Sequence, residues 1–138
     1  KIQFKKMISR NTVMRVGRPT DHLEEITKMY VEGLGFEIIG GFDGHNNFSG
    51  RMVGHPKHHY HLEFTTHKNE KAGRAPSLEN LLVFYITDET EYNIAIKRIS
   101  NSGFRKVKSF NPYWEGGAQT FEDLDGYRVV INYGESPF

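Results

Sequence analysis

The order of apolar and polar positions is written twice along this chain, at an offset of about 67 residues (Asp21 to Asp88). In the first copy, 13–18 reads as a short strand ended by Pro19, which has no N–H to give to a ladder. Thr20 or Asp21 then caps a helix, with Glu24 at the capping-box position. Leu23, Ile26, Tyr30 and Leu34 fall on one helical face, and Gly33 and Gly35 mark its end. Strands are expected over 36–42, 48–53 and 59–66. The Asp43-Gly44 and Asn46-Asn47 region turns the chain between the first two, and Gly54-His55-Pro56 separates the second from the third.

The second copy keeps the order. Leu81 to Ile86 is apolar on both faces, which predicts a strand buried on both sides. Asp88 caps a helix with Tyr92, Ala95, Ile96 and Ile99 on one face and Gly103 at its end. Strands follow over 104–110, 119–122 and 127–133, with Asp125-Gly126 as the tight turn before the last. Each half therefore reads βαβββ, module 1 spanning about 12–67 and module 2 about 79–134. The charged stretch from Lys68 to Ser77, with Gly73 and Pro76, reads as a surface crossover. The prediction is one α+β domain built from two tandem modules.

Composition narrows the function. The chain has 138 residues and a net charge of +1, so it lacks the concentrated basic surface that nucleic acid requires. The basic residues near the start, Lys1, Lys5, Lys6 and Arg10, read as a solvated arm. With no cysteine there is neither a disulfide framework nor thiolate chemistry. No apolar run approaches the roughly 20 residues that span a bilayer, and no secretory signal is seen. The expectation is a cytoplasmic protein with neither membrane nor nucleic-acid partners.

A duplicated βαβββ unit of this length resembles the vicinal-oxygen-chelate superfamily, which includes glyoxalase I, bleomycin-resistance proteins and extradiol dioxygenases. Leu34-Gly35-Phe36 after the first helix, His61-Leu62-Glu63-Phe64 on the fourth strand and Phe121-Glu122-Asp123-Leu124-Asp125-Gly126-Tyr127 before the last strand carry the resemblance. It extends from Thr12 to Tyr133. What it implies is a pair of half-open β-sheet barrels with helices outside and a cavity within. Metal-dependent members of that superfamily place one ligand on each of strands one, four, five and eight. Here Glu63 takes the fourth-strand place, and its counterpart in the second module is Val130. The first-strand place falls on Met14 or Arg15, and the fifth-strand place on Leu81 or Leu82. Aliphatic side chains offer no donor and a guanidinium repels a cation, so no metal cofactor is expected.

Strand alternation then nominates the cavity wall. His59, His61, Glu63 and Thr65 share one face of strand four; Arg128, Val130 and Asn132 share one face of strand eight. Arg15 is expected to point inward, because a guanidinium beneath a helix without a partner is costly. Arg15 or Arg128 is then either a partner for Glu63 or a holder of an anionic or polar molecule. Tyr113 and Trp114, the only tryptophan, stand beside Gly116-Gly117, as an aromatic lid over a ligand or as a plug or dimer contact. The seven histidines suggest an alternative, a relocated divalent ion near His59, His61 and Glu63. The expected function is metal-free binding of a small organic molecule, in a resistance or sequestration role. The rival is a lyase, isomerase or dioxygenase with Glu63 and His61 as catalytic groups. A homodimer is expected because half-open sheets leave edges to cover.

Overall fold

The computed structural model describes residues 8–138, so Lys1, Lys5 and Lys6 of the basic arm lie outside the described residues. Module 1 runs β1 (Met14–Pro19), α1 (Leu23–Leu34), β2 (Glu37–His45), β3 (Phe48–Gly54) and β4 (Tyr60–His67). Module 2 runs β5 (Leu81–Ile86), α2 (Glu89–Ser100), β6 (Arg105–Val107), β7 (Ala118–Glu122) and β8 (Arg128–Tyr133). Each module makes a four-stranded sheet, in the orders β1-β4-β3-β2 and β5-β8-β7-β6. The first and last strands of each module pair parallel, and the remaining pairs are antiparallel. The fold is the α+β pair of βαβββ modules that the repeated pattern predicts. Among the described residues, no helix is long and apolar enough to cross a membrane.

Local chemistry follows the pattern in some places and departs from it in others. Asp88 caps α2 as expected, its side chain accepting from the Glu91 N–H at 2.9 Å. Neither Thr20 nor Asp21 caps α1: His22 takes that position and offers no side-chain hydrogen bond. Asp21 accepts instead from the N–H groups of Ala72 and Gly73, at 2.8 and 3.0 Å, and so ties the crossover to the start of α1. Glu24 meets Arg51 at 3.1 Å rather than reaching back along its own helix. Both acids chose partners distant in sequence, which a local rule cannot see. Asn46 and Asn47, with φ of 50° and 69°, make the two-residue hairpin turn, while Asp43 and Gly44 belong to β2. The strand expected over 104–110 is only three residues long, and a short 3-10 helix follows at Pro112–Glu115.

α1 covers the first sheet, α2 covers the second, and the two helices pack on each other. The result is one core with side chains from both modules, among them Ile26, Val53, Phe64, Ile99, Phe121 and Val129. Tyr30 sits in its middle, tilted on Phe64 at 4.9 Å and edge-on to Phe104 at 5.2 Å. Its hydroxyl donates to Asp123 Oδ2 at 2.7 Å and accepts from Arg18 Nη1 at 3.3 Å. The Arg18 guanidinium lies 4.0 Å from the centre of the Tyr127 ring, so β1 and the β7–β8 turn are clasped by one buried polar group. Burial, followed by the Asp123 charge, pushes the Tyr30 hydroxyl well above its ordinary range.

β5 departs from expectation in an instructive way. Its apolar sequence predicts burial on both sides, yet none of its six residues is fully buried. It is an edge strand, paired among the described residues with β8 alone. A groove of about 390 Å³ runs beside it, lined by Met14, Val16, Tyr60, Leu62, Leu82 and Phe84.

Gly33 gives a test of how tightly the modules meet. A Cβ there would stand 2.5 Å from Ser102 Oγ and 2.9 Å from the buried Phe104 ring. Ala in place of Gly within a helix ordinarily stabilises by about 1 kcal/mol. Here Gly33→Ala is expected to destabilise by about 1–3 kcal/mol through overpacking, read from urea unfolding midpoints. A stabilised variant would show that α1 does not pack tightly on Ser102 and Phe104, which follow α2.

Candidate functional site

The polar side chains collect in two separate places, one on the helix-free face of each sheet. On the first sheet, parallel register sets Arg15 beside His61 and Gly17 beside Glu63. Strand alternation turns these four positions away from Leu62 and Phe64, which point into the core. Arg15 Nε donates to His61 Nε2 at 2.9 Å, so that nitrogen is the unprotonated one. Arg15 Nη1 stands 3.5 Å from Glu63 Oε2, and Glu63 is the more buried partner. A Cβ added at Gly17 would meet nothing within 4 Å, which leaves open space next to the Glu63 carboxylate. His59 takes no part. It precedes β4, is exposed, and contributes only its carbonyl, to the Met14 N–H at 2.7 Å.

On the second sheet, Arg128, Val130 and Asn132 share the helix-free face with Ala118, Thr120 and Glu122, their antiparallel partners. Arg128 does not approach Glu63. Its Nε donates to Glu122 Oε2 at 3.1 Å, and its Nη1 to the Lys108 carbonyl at 3.3 Å. Glu122 Oε1 also accepts from Arg105 at 2.8 Å and Arg74 at 3.4 Å. Burial works against this charge, but the hydrogen bonds from Arg105 and Arg128 hold the Glu122 carboxyl below its ordinary value. Asn132 is half-buried and bonds only the Tyr133 carbonyl. Tyr113 and Trp114 lie in the short 3-10 helix, edge-on to each other at 4.9 Å, with Tyr85 6.5 Å from the indole. Tyr113 is exposed and Trp114 half-buried over this face.

The positions that would ligate a metal in the resemblance do not make a donor set. Glu63 is the one carboxylate, and a guanidinium already engages both it and the neighbouring His61. Leu81 and Val130 supply no donor. Among the described residues, no three His, Asp or Glu side chains gather around a point. These residues do not fit a divalent ion. What they do offer is an acceptor, a cation and an imidazole beside an open floor, suited to orienting a polar or anionic molecule. A partly open hollow of about 560 Å³ lies elsewhere, between the crossover and the β2–β3 turn near Asp21, Asn47 and Lys68. The Arg15–Glu63 face is open beside Gly17, with the Arg15 side chain 48% exposed.

Sequence reasoning missed Glu122 and the Arg18–Tyr30–Asp123 clasp. The first is hidden by the turn: counting outward from Asp125-Gly126 pairs Asp123 with Arg128, whereas the observed register pairs Glu122 with Arg128. The second joins residues 93 apart and has no local signature.

Residues 14–65 match the family described as the YycE-like N-terminal domain, and residues 79–133 match the YycE-like C-terminal domain. The chain is 41% identical over 118 residues to the uncharacterized protein YycE of Bacillus subtilis, covering 86% of this chain and 85% of that one. The crystal structure of a Bacillus subtilis YycE, a candidate glyoxalase/fosfomycin resistance protein of unknown function, superposes with a TM-score of 0.84 at 38% identity, over 92% of this chain and 93% of that chain. Two distant structures share the fold. The Leishmania major trypanothione-dependent glyoxalase I gives a TM-score of 0.68 at 16% identity, over 91% of this chain and 87% of that one. The antibiotic binding protein TnmS3 of Streptomyces gives 0.65 at 20% identity, over 95% and 100%.

The buried ion pair on the second sheet carries its own test. Glu122→Gln strands Arg128 without its counter-charge and is expected to cost about 3 kcal/mol near neutral pH. A depressed carboxyl contributes stability that is present above its unfolded value and lost as pH falls through the folded one. Asp123 and Asp125, whose carboxyls burial raises, act oppositely and favour the fold as they protonate. Urea unfolding as a function of pH should therefore show a shallower acid loss in the variant than in the native chain. An unchanged acid limb would remove Glu122 as its source.

Proposed function

This chain belongs to the YycE-like family of the vicinal-oxygen-chelate superfamily, and from that premise we propose that it binds a small polar organic molecule without a metal ion, as a homodimer. The observation that supports this most directly is Arg15 seated between His61 and Glu63, where the superfamily's metal-dependent members hold an ion. A guanidinium there repels a cation and attracts an anion. Gly17 keeps the adjacent space empty of side chain. In this reading Arg15 pairs a carboxylate, phosphonate or similar group of the ligand, Glu63 accepts a hydrogen bond from it, and His61 orients Arg15. A resistance or sequestration role is consistent with the names borne by YycE and TnmS3.

Surface physics supports the proposed homodimer. β1 and β5 are both sheet edges with unpaired backbone groups, and the apolar groove between them is flanked by exposed Val13, Met14 and Tyr85. Open apolar edges of this kind are covered in stable proteins. A second copy would supply the cover, and also a further wall for the open face bearing Arg15.

Elemental analysis after incubation with Zn, Ni, Mn or Fe and exhaustive dialysis is expected to find no stoichiometric ion. An ion retained by the native chain and lost in Glu63→Gln would overturn the reading in favour of the metal-dependent lyase, isomerase or dioxygenase. Assays with 2-oxoaldehyde–thiol adducts and catechols check for turnover by Glu63 and His61 directly. Sedimentation equilibrium is expected to give twice the 15.9 kDa chain mass, falling to one chain in Met14→Glu, whose side chain is exposed in the monomer.

A further inference from the structure

The hollow of about 560 Å³ beside Asp21 is walled entirely by polar residues and glycine. It lies between the β2–β3 hairpin, the end of β4 and the crossover. Ser49 and Thr66, cross-strand partners in its wall, stand on the side of the sheet that carries Phe64, opposite to Glu63. The loop that closes it is anchored at both ends. The Lys68 N–H donates to the Asn47 carbonyl at 2.9 Å, and the Ala72 and Gly73 N–H groups donate to Asp21. Between these anchors, Asn69, Glu70 and Lys71 line the space.

One donor in the wall is fixed in place. His67 Nδ1 accepts from the Asn69 N–H at 3.1 Å, so the neutral imidazole carries its proton on Nε2. The ring is also set edge-on to Phe48 at 4.6 Å. Among the described residues, no hydrogen bond or ion pair engages the side chains of Asn47, Thr66, Lys68, Asn69, Glu70 and Lys71. An apolar guest would bury nothing against such a wall. Two carboxylates, Asp21 and Glu70, balance two ammonium groups, Lys68 and Lys71, so neither a polyanion nor a polycation is favoured. What the wall matches is a neutral molecule whose polar groups each donate and accept, as hydroxyls do. The volume falls within the roughly 300–1,000 Å³ of small-molecule sites.

We propose that this hollow is a binding site for neutral saccharides, whose hydroxyls bond His67 Nε2, the Thr66 hydroxyl and the amides of Asn47 and Asn69. The site goes beyond the function proposed above, because neither Arg15 nor Glu63 takes part and the two lie on opposite sides of the sheet. The tethers at Asn47 and Asp21 hold the loop in place before a guest arrives, which lowers the ordering cost of binding.

Glucose and maltose are the probes, each titrated into the native chain and followed by 1H–15N NMR. Saturable shifts centred on Asn47, Thr66, His67 and Asn69 are expected with at least one of them. Asn69→Ala and Thr66→Val each remove one hydrogen-bonding group and are expected to weaken that binding about threefold to tenfold. Asn69 is exposed and its side chain bonds nothing among the described residues, so Asn69→Ala should keep the native urea midpoint. Arg15→Ala, which disables the first-sheet face, should leave the sugar shifts intact, so failure of that reading and of this one are separable. Absence of saturable shifts with both sugars, or shifts centred outside the hollow, overturns the proposal. So does equal affinity in the two variants and the native chain, or binding of inorganic phosphate at these residues in preference to either sugar.

Discussion

One hydroxyl organises this molecule. Tyr30 comes from the first helix, and its oxygen sits between Arg18 of β1 and Asp123 of the turn between β7 and β8. Without that hydroxyl, a guanidinium and a carboxylate would both be buried without their bridging partner, a cost of several kcal/mol. Asp123 spends its other oxygen on the N–H groups of Asp125 and Tyr127, at 2.8 and 3.0 Å, and so sets the shape of the turn. The turn sets the register of the hairpin, and the register sets Glu122 opposite Arg128. A contact in the shared core thus reaches the helix-free face of the second sheet by a chain of hydrogen bonds.

The two copies of one structural unit differ in how their helix-free faces are filled. Helix packs on helix, so the sheets meet through their covered sides and each keeps its helix-free face for itself. On the first sheet that face stays open: glycine at position 17 leaves room, and a guanidinium holds an imidazole and a carboxylate around the space. On the second, the buried ion pair and the indole of Trp114 close the equivalent face. The scaffold supplied two hollows, and the side chains filled one of them.

Much of the fold was legible along the chain. The paired βαβββ order, the Asp88 cap and the whole of β5 follow from apolar spacing and turn residues. The first helix cap was not, because Asp21 found better donors in the crossover, some fifty positions away. The argument that a guanidinium under a helix needs a partner is physically sound, and Arg15 does lie on the helix-free face. Arg18 shows the other side of that rule: it is buried beneath α1 with a phenol hydroxyl and an aromatic face to receive it.

Periodicity and turn chemistry act between neighbours, so the chain alone was enough to give the order of strands and helices and the two faces of strands four and eight, but not the shortness of β6 or the 3-10 helix at Pro112–Glu115. It also stated that ligand-type side chains are missing at Leu81 and Val130. Which polar groups meet was decided only when the sheets docked. That depends on distances between residues far apart in sequence, as with Arg128 choosing Glu122 over Glu63, or Trp114 coming to rest on the second sheet. No local pattern encodes those distances, because they arise from packing two helices into one shared core.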